Sequence, residues 1–288
     1  MVQQKHDSWL LCDAFDEAGG LACTDVTPEG FLFDMGGHVI FSHFDYFDQL
    51  IDAAVGTGDE HWATHERVSY VRMMNRWVPY TLQNNICSLP LENQVDCING
   101  LIEAKVANAV ATTPPKNFDE WIMRVMGEGI ANIFMRPYNF KVWAVPTTEM
   151  QCSWLGERVA TANVAKVIEN VLRNKEESGW GPNAVFRFPQ EGGTGAIWKK
   201  VANLLPQDKM RFGKKVASID ADAKKVTLTD GSIYTYEKLM STIPLDLTLK
   251  MLDGTPEHKA QNAALADGLT YSSSHIIGVG IRGVNPHD

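Results

Sequence analysis

The sequence predicts an α/β fold built around half of a dinucleotide-binding unit, on three observations. Trp9–Cys12 is a short apolar, strand-like run that ends at the carboxylate of Asp13. Two glycine doublets come next, Gly19-Gly20 and Gly36-Gly37, the second joined directly to His38. The hydrophobic pattern turns from alternation to long helical spacing at Leu91 and back near Phe186. A strand ending in an acidic residue, then glycines that let the backbone approach a flat or charged ligand, makes the second half of a βαβ nucleotide unit. In such units the carboxylate accepts from a ribose hydroxyl. No G-x-G-x-x-G precedes Trp9 in this sequence, so it reads as a piece of a dinucleotide enzyme without its pyrophosphate turn.

The elements can be taken in chain order. Phe47–Val55 has helical spacing, and Val68–Met73 and Trp77–Tyr80 alternate as a hairpin with Asn75 in the turn. From Leu91 to about Asn174 the pattern is helical: Val95–Ala111, Phe118–Met126, Ile130–Met135 and Trp154–Leu172, broken by Pro114-Pro115 and Pro146. Phe186–Pro189 returns to a strand and leads through Gly192-Gly193-Thr194-Gly195 into a helix over Ala196–Leu205. Val216–Ile219 and Val226–Thr229, with Asp230-Gly231 as the turn, form a β-meander. Tyr236–Ile243 and His275–Arg282 read as further strands. A nucleotide half-unit, an insertion, a meander and a returning strand are the order of a glutathione-reductase-like FAD-binding domain. The expected architecture is therefore an incomplete FAD-binding domain with a helical insertion and a small antiparallel β-sheet domain.

Composition narrows the function classes. With 288 residues, 44% hydrophobic, the chain can bury a sizeable core, and its length suggests about two domains. A formal net charge of −9 argues against a nucleic-acid or anionic-membrane surface. No apolar run approaches the roughly 18 residues of a membrane span, and MVQQKHDSW lacks the apolar core of a signal peptide. Five cysteines (Cys12, Cys23, Cys87, Cys97 and Cys152) without a C-x-x-C spacing fit a reducing, cytoplasmic compartment and packing roles. His61 and His65 have helical metal spacing but no third ligand, so no metal is expected. The Gly192–Gly195 stretch lacks the lysine of a phosphate-binding loop and reads as a helix start near the cofactor.

The strings GGHVIFSH, NRWVPYTLQNN, FMRPYNFKVWAVP, WLGERVA and GWGPNAVFRFP resemble the matching segments of eukaryotic UDP-galactopyranose mutases, and the resemblance runs from Trp9 to Gly283. It implies a flavoenzyme that interconverts UDP-galactopyranose and UDP-galactofuranose without net redox change, using FAD in its reduced form with NADPH as reductant. In that chemistry the reduced flavin N5 attacks the anomeric carbon, UDP leaves, and the sugar recloses as a five-membered ring. The implied partners are UDP-galactose and UDP-galactofuranose and, through self-association, a homo-oligomer.

The site residues carry both readings. His38 comes after a glycine pair, so its imidazole can lie against the flavin, and the resemblance makes it the residue responding to flavin redox state; otherwise it is a core histidine. Asp13, Gly19, Gly20 and Val216 are the cofactor residues expected on the adenosine side, with Gly36, Gly37 and His38 on the isoalloxazine side. Arg158 matches a diphosphate-binding arginine, whose fixed, always-charged fork suits two phosphates; from spacing alone it is a solvated arginine at a helix start. Tyr80 and Gln83 offer an aromatic face and an amide for a uracil. Thr81-Leu82 stands where the family pattern has a proline and an aromatic, which leaves the stacking partner beside Tyr80 open. The resemblance places Phe134 at the uridine end and Asn139, Trp143 and Asn183 around the galactose.

The expected domains are 1–66 with 184–250 for FAD, 67–90 with 270–288 as the β-sheet substrate domain, and 91–183 as the helical substrate domain. Because the pyrophosphate turn and a second diphosphate arginine are absent from these residues, the 288-residue chain by itself is expected to hold FAD poorly and to lack mutase activity. Two rivals stay open on the residues alone. One is a flavin amine-oxidase-like oxidoreductase sharing the doublets and the meander; the other is a non-catalytic remnant of a flavoprotein.

Overall fold

Element order in the structure, a computed structural model describing residues 8–40, 42–156, 159–177 and 184–284, follows the pattern of the sequence in part. β1 (Leu11–Cys12), β2 (Thr24–Val26) and β3 (Leu32–Asp34) lead into α1 (Asp45–Val55) and β4 (Trp62–Glu66). The strands β5 (Tyr70–Met73) and β6 (Arg76–Pro79) precede the helices α2 (Leu91–Ala109), α3 (Phe118–Ile130), α4 (Arg136–Trp143) and α5 (Val164–Arg173). The chain returns through β7 (Val185–Pro189), α6 (Gly193–Asn203), β8 (Met210–Arg211), β9 (Val216–Asp220), β10 (Lys225–Leu228) and β11 (Ile233–Thr235). Two further helices complete the order, α7 (Leu245–Met251) and α8 (Pro256–Asp267). The chain divides into two units, Met1–Thr64 with Arg187–Asp288, and His65–Phe186.

In the first unit β1 lies parallel to β8, with Leu11 opposite Met210 and Cys12 opposite Arg211. β9, β10 and β11 form an antiparallel meander whose buried Ile219, Val226 and Leu228 pack on Cys12 and Val216. The strand carrying Asp13 and the strand opening at Val216 thus share one core. A second cluster forms where Ile51 and Val55 of α1 meet Trp62 and Ile197 of α6. Taking a side chain such as Ile51 fully out of water contributes roughly 1.5–3 kcal/mol. Arg187 ties this cluster to the stretch after His38: it bridges Ile40 through the backbone, donates Nη1 to Asp52 at 3.0 Å and lies 4.7 Å over the Trp62 ring.

The second unit is mainly helical. β5 and β6 pair across a two-residue turn in which Met74 and Asn75 both have positive φ, 48° and 60°, matching the twist of a tight hairpin. Phe118, Ile122, Met126 and Ile130 recur every four residues on α3 and meet Cys97 and Leu101 of α2 in one core. The two helices approach closely through glycines. A Cβ on Gly127, whose φ is 72°, would stand 2.0 Å from Gly100 O, and one on Gly129 would stand 2.5 Å from Asp96 O. Asn117 caps α3, its Oδ1 accepting from the Glu120 N–H at 2.9 Å. α3 runs through a π-turn, Ala131–Met135, into α4. The Arg136 guanidinium donates twice to Asp119 at 2.7 Å, which holds that carboxyl below the usual carboxylate range.

Several sequence-based spans need correction. The helix expected from Trp154 begins at Val164, where the Asn163 side chain accepts from the Lys166 N–H and supplies the cap. Ile130–Met135 is largely the π-turn rather than an α-helix. Tyr236–Ile243 forms no strand. Its end folds locally instead, with Ser241 Oγ accepting from the Ile243 N–H and Thr248 Oγ1 donating to Ile243 O. His275–Arg282 also joins no ladder and does not extend the β5–β6 hairpin. Gly278 and Gly280 lie on the rings of Phe33 and Phe31, leaving Ile277, Val279 and Ile281 exposed.

Candidate functional site

Each unit carries its own group of candidate residues. In the first, Asp13 stands at the C-terminal end of β1 as the strand–carboxylate pattern requires. Its N–H donates to Arg211 O at 3.0 Å, its O accepts from the Lys214 N–H at 2.7 Å, and its Oδ1 accepts from the Phe15 N–H at 2.9 Å. These bonds join Asp13 to the run that leads into Val216. Gly19 and Gly20 come next in a tight turn, and a Cβ on Gly20 would meet nothing within 4 Å.

The second doublet lies after β3. Gly36 has φ 127°, a conformation that a side chain resists, and a Cβ on Gly37 would meet nothing within 4 Å. His38 is next, with a buried Nδ1 that has no hydrogen-bond partner. A buried imidazole nitrogen normally finds one, so this atom calls for a ligand group. The backbone is open at the doublet while the neighbouring imidazole is unsatisfied, an arrangement fit for a flat heteroaromatic ring.

A polar latch that sequence reasoning missed lies close by. The Thr24 hydroxyl hydrogen-bonds Asp34, Asp34 accepts from the Thr194 N–H at 3.2 Å, and Thr24 Oγ1 accepts from the Gly195 N–H at 2.8 Å. The positive N-terminus of α6 is therefore occupied by a carboxylate of the same unit rather than left for a phosphate. Cβ atoms on Gly193 and Gly195 would collide with Thr24, so these two glycines serve packing. The signal was the Thr24 and Asp34 pair, facing each other on neighbouring strands ten residues apart.

In the second unit Tyr80 and Phe134 come together around a residue that the sequence reading passed over, Tyr138, and Gln83 follows three residues after Tyr80. Tyr138 stacks on the buried Phe134 with centroids 5.0 Å apart and shares a side-chain hydrogen bond with Tyr80. Burial, reinforced by Tyr138, pushes the Tyr80 phenol up to about 12. Leu82 turns fully into the core, so the aromatic company of Tyr80 comes from α4 and the π-turn before it, not from its own strand. Gln83 is 2% exposed; its Nε2 donates to Ala160 O at 2.7 Å, while its Oε1 is buried without a partner. An acceptor in that state costs about 1–3 kcal/mol until a donor reaches it.

The remaining candidates are mixed. Asn139 is buried one turn after Met135, its Nδ2 donating to Met135 O at 2.7 Å. Trp143 is 41% exposed and meets Trp154 edge-on with centroids 5.7 Å apart, so it is not a core residue. Arg158 and Asn183 lie outside the described residues. Among the described residues no three His, Cys, Asp or Glu side chains gather as a metal site. Among them, too, no helix is long and apolar enough to cross a membrane.

The sequence pattern of the family described as flavin containing amine oxidoreductase matches residues 2–283. The chain belongs to that family. Within this amine oxidoreductase fold, the crystal structure of a reduced UDP-galactopyranose mutase aligns with a TM-score of 0.85 and 43% identity, over 94% of this chain and 56% of that one. The cyclohexylamine oxidase from Brevibacterium oxydans aligns at 0.55 with 14% identity, over 92% of this chain and 59% of that one. A putrescine oxidase variant redesigned for cofactor binding aligns at 0.54 with 14% identity, over 90% and 58%. The two oxidases share the fold alone, and the chain spans less than two thirds of the length of all three. The family's cofactor is a flavin, and the first unit fits one: the open backbone at Gly36-Gly37 gives a ring room, and His38 Nδ1 awaits a partner.

Proposed function

We propose that the protein is a UDP-galactopyranose mutase, interconverting UDP-galactopyranose and UDP-galactofuranose with FAD reduced by NADPH in the cytoplasm. The observation that carries this reading is the Tyr80–Tyr138–Phe134 cluster, with the buried, unpartnered Gln83 Oε1 three residues along the chain from Tyr80, in a chain 43% identical to a mutase. A uracil offers a ring to stack on these aromatics and an N–H to donate to the Gln83 acceptor. Asp13, Gly19, Gly20 and Val216 hold the adenosine side of FAD; Gly36, Gly37 and His38 hold the isoalloxazine. Bound and reduced, the flavin supplies the nucleophile for the anomeric carbon.

The chain's own residues bind and orient the substrate. Tyr80 and Gln83 fix the uridine, Arg158 neutralises the diphosphate in the ground state and as UDP departs, and Asn139, Trp143 and Asn183 orient the sugar hydroxyls. His38 Nδ1 holds a hydrogen bond to the cofactor. In domain terms, 1–66 with 184–250 serve FAD, 67–90 and 91–183 serve the substrate, and the assembly is a homo-oligomer.

Calorimetric titration of the chain with UDP-galactose, with cyclohexylamine as the competing ligand class, tests the reading. Saturable binding of the nucleotide sugar and none of the amine is expected. Arg158→Ala should cost about 1.5–3 kcal/mol of that binding, the scale of a charge-assisted hydrogen bond, and Lys should restore only part of it. Equal affinity of parent and Arg158→Ala for UDP removes the diphosphate role, and amine binding in place of the nucleotide makes the protein an amine oxidase.

A further inference from the structure

The turn that carries Tyr80 and Gln83 is held from inside by one amide. Asn85 is fully buried, and both ends of its side chain are engaged. Nδ2 donates to Pro79 O at 3.2 Å, Thr81 O at 3.0 Å and Glu177 O at 2.9 Å, and Oδ1 accepts from the Glu177 N–H at 2.7 Å. Pro79 and Thr81 are the two neighbours of Tyr80, so one side chain fixes the carbonyls on both sides of it. Glu177 closes the arrangement with a reciprocal pair of backbone bonds.

The rest of the turn hangs on the same frame. Asn170 Nδ2 donates to Asn84 O at 3.2 Å, and Asn84 Nδ2 donates to Thr81 Oγ1 at 3.1 Å. Only an amide supplies donors and an acceptor in this place: a leucine supplies neither, and an ionised aspartate would set negative charge against three carbonyls.

We infer that Asn85 is a positioning residue for the proposed uridine site. It sets the backbone on either side of Tyr80, and through that backbone the direction of the Tyr80 phenol and of the Gln83 acceptor. The inference rests on reading the Tyr80–Gln83 turn as a uridine site, so its experiment has one arm that needs no ligand.

The full 288-residue chain is compared with Asn85→Asp by two measurements, UMP titration followed by tryptophan fluorescence and hydrogen–deuterium exchange. The new carboxyl has its pKa raised by burial and by the facing carbonyls, and protonation returns one O–H donor. At about pH 8 the variant should bind UMP about tenfold more weakly than the parent, and it should recover towards about pH 5 while the parent stays flat. Exchange should rise in peptides covering 79–85 and 171–177 and stay at the parent's level in α2. If Asn85→Asp does not fold, Asn85→Ser, which keeps one donor and one acceptor, should give the same exchange pattern with a smaller affinity loss.

Parent-like UMP affinity at both pH values overturns the inference. So does a pH-independent loss accompanied by raised exchange throughout 65–186, which marks a residue needed only for folding. A parent that binds no UMP overturns the uridine reading instead, and the exchange arm alone then decides whether Asn85 holds the turn.

Discussion

Tyr80 and Gln83 stand three residues apart, and each is unusual in a way that can be measured. Burial and Tyr138 raise the Tyr80 phenol to about 12, against an ordinary value near 10. The folded state disfavours the phenolate. Its contribution is therefore fully present below the ordinary pKa and is lost as pH rises from about 10 towards about 12. Spectrophotometric titration should show one tyrosine lagging the others, and Tyr80→Phe should remove that late step. If the late step survived the substitution, another phenol would be the buried one. The NRWVPYTLQNN string is what singles out Tyr80 and Gln83 as candidates. Tyr138 was not singled out, although its spacing four residues after Phe134 already set both rings on one helical face.

The helices were the most legible elements, because four-residue apolar spacing such as Phe118, Ile122, Met126 and Ile130 is a local property. The hairpin turn at Asn75 and the turn at Asp230-Gly231 were legible for the same reason. Tyr236–Ile243 and His275–Arg282 were not, since a strand exists only with a ladder partner and alternation cannot reveal whether one is present. The start of α5 was misplaced because Gly156, with φ 46°, interrupts the run from Trp154, and the cap at Asn163 decides the boundary. At this scale the α2–α3 crossing makes the sharpest prediction. Gly129→Ala sets a Cβ against the Asp96 carbonyl and should destabilise the protein by about 1–3 kcal/mol in urea denaturation, with an unchanged slope. A variant as stable as the parent would mean the helices can part at no cost.

Across the whole molecule, each of the two units carries its own group of candidate residues. The first, from Asp13 and its bonds to the chain before Val216 through the open Gly36-Gly37 backbone to His38, fits a flavin, as membership of the flavin containing amine oxidoreductase family requires. The second gathers the Tyr80, Phe134 and Tyr138 rings and, among the described residues, two buried amide oxygens without partners, Gln83 Oε1 and Asn170 Oδ1, and the proposed uridine site lies here. The most direct test is saturation-transfer difference NMR of UDP-galactose with the purified chain. The account predicts that the uracil H5 and H6 protons receive the strongest saturation, from Tyr80, Phe134 and Tyr138, and that Gln83→Leu abolishes the effect. No transfer to the uracil, or transfer unchanged in Gln83→Leu, would contradict it.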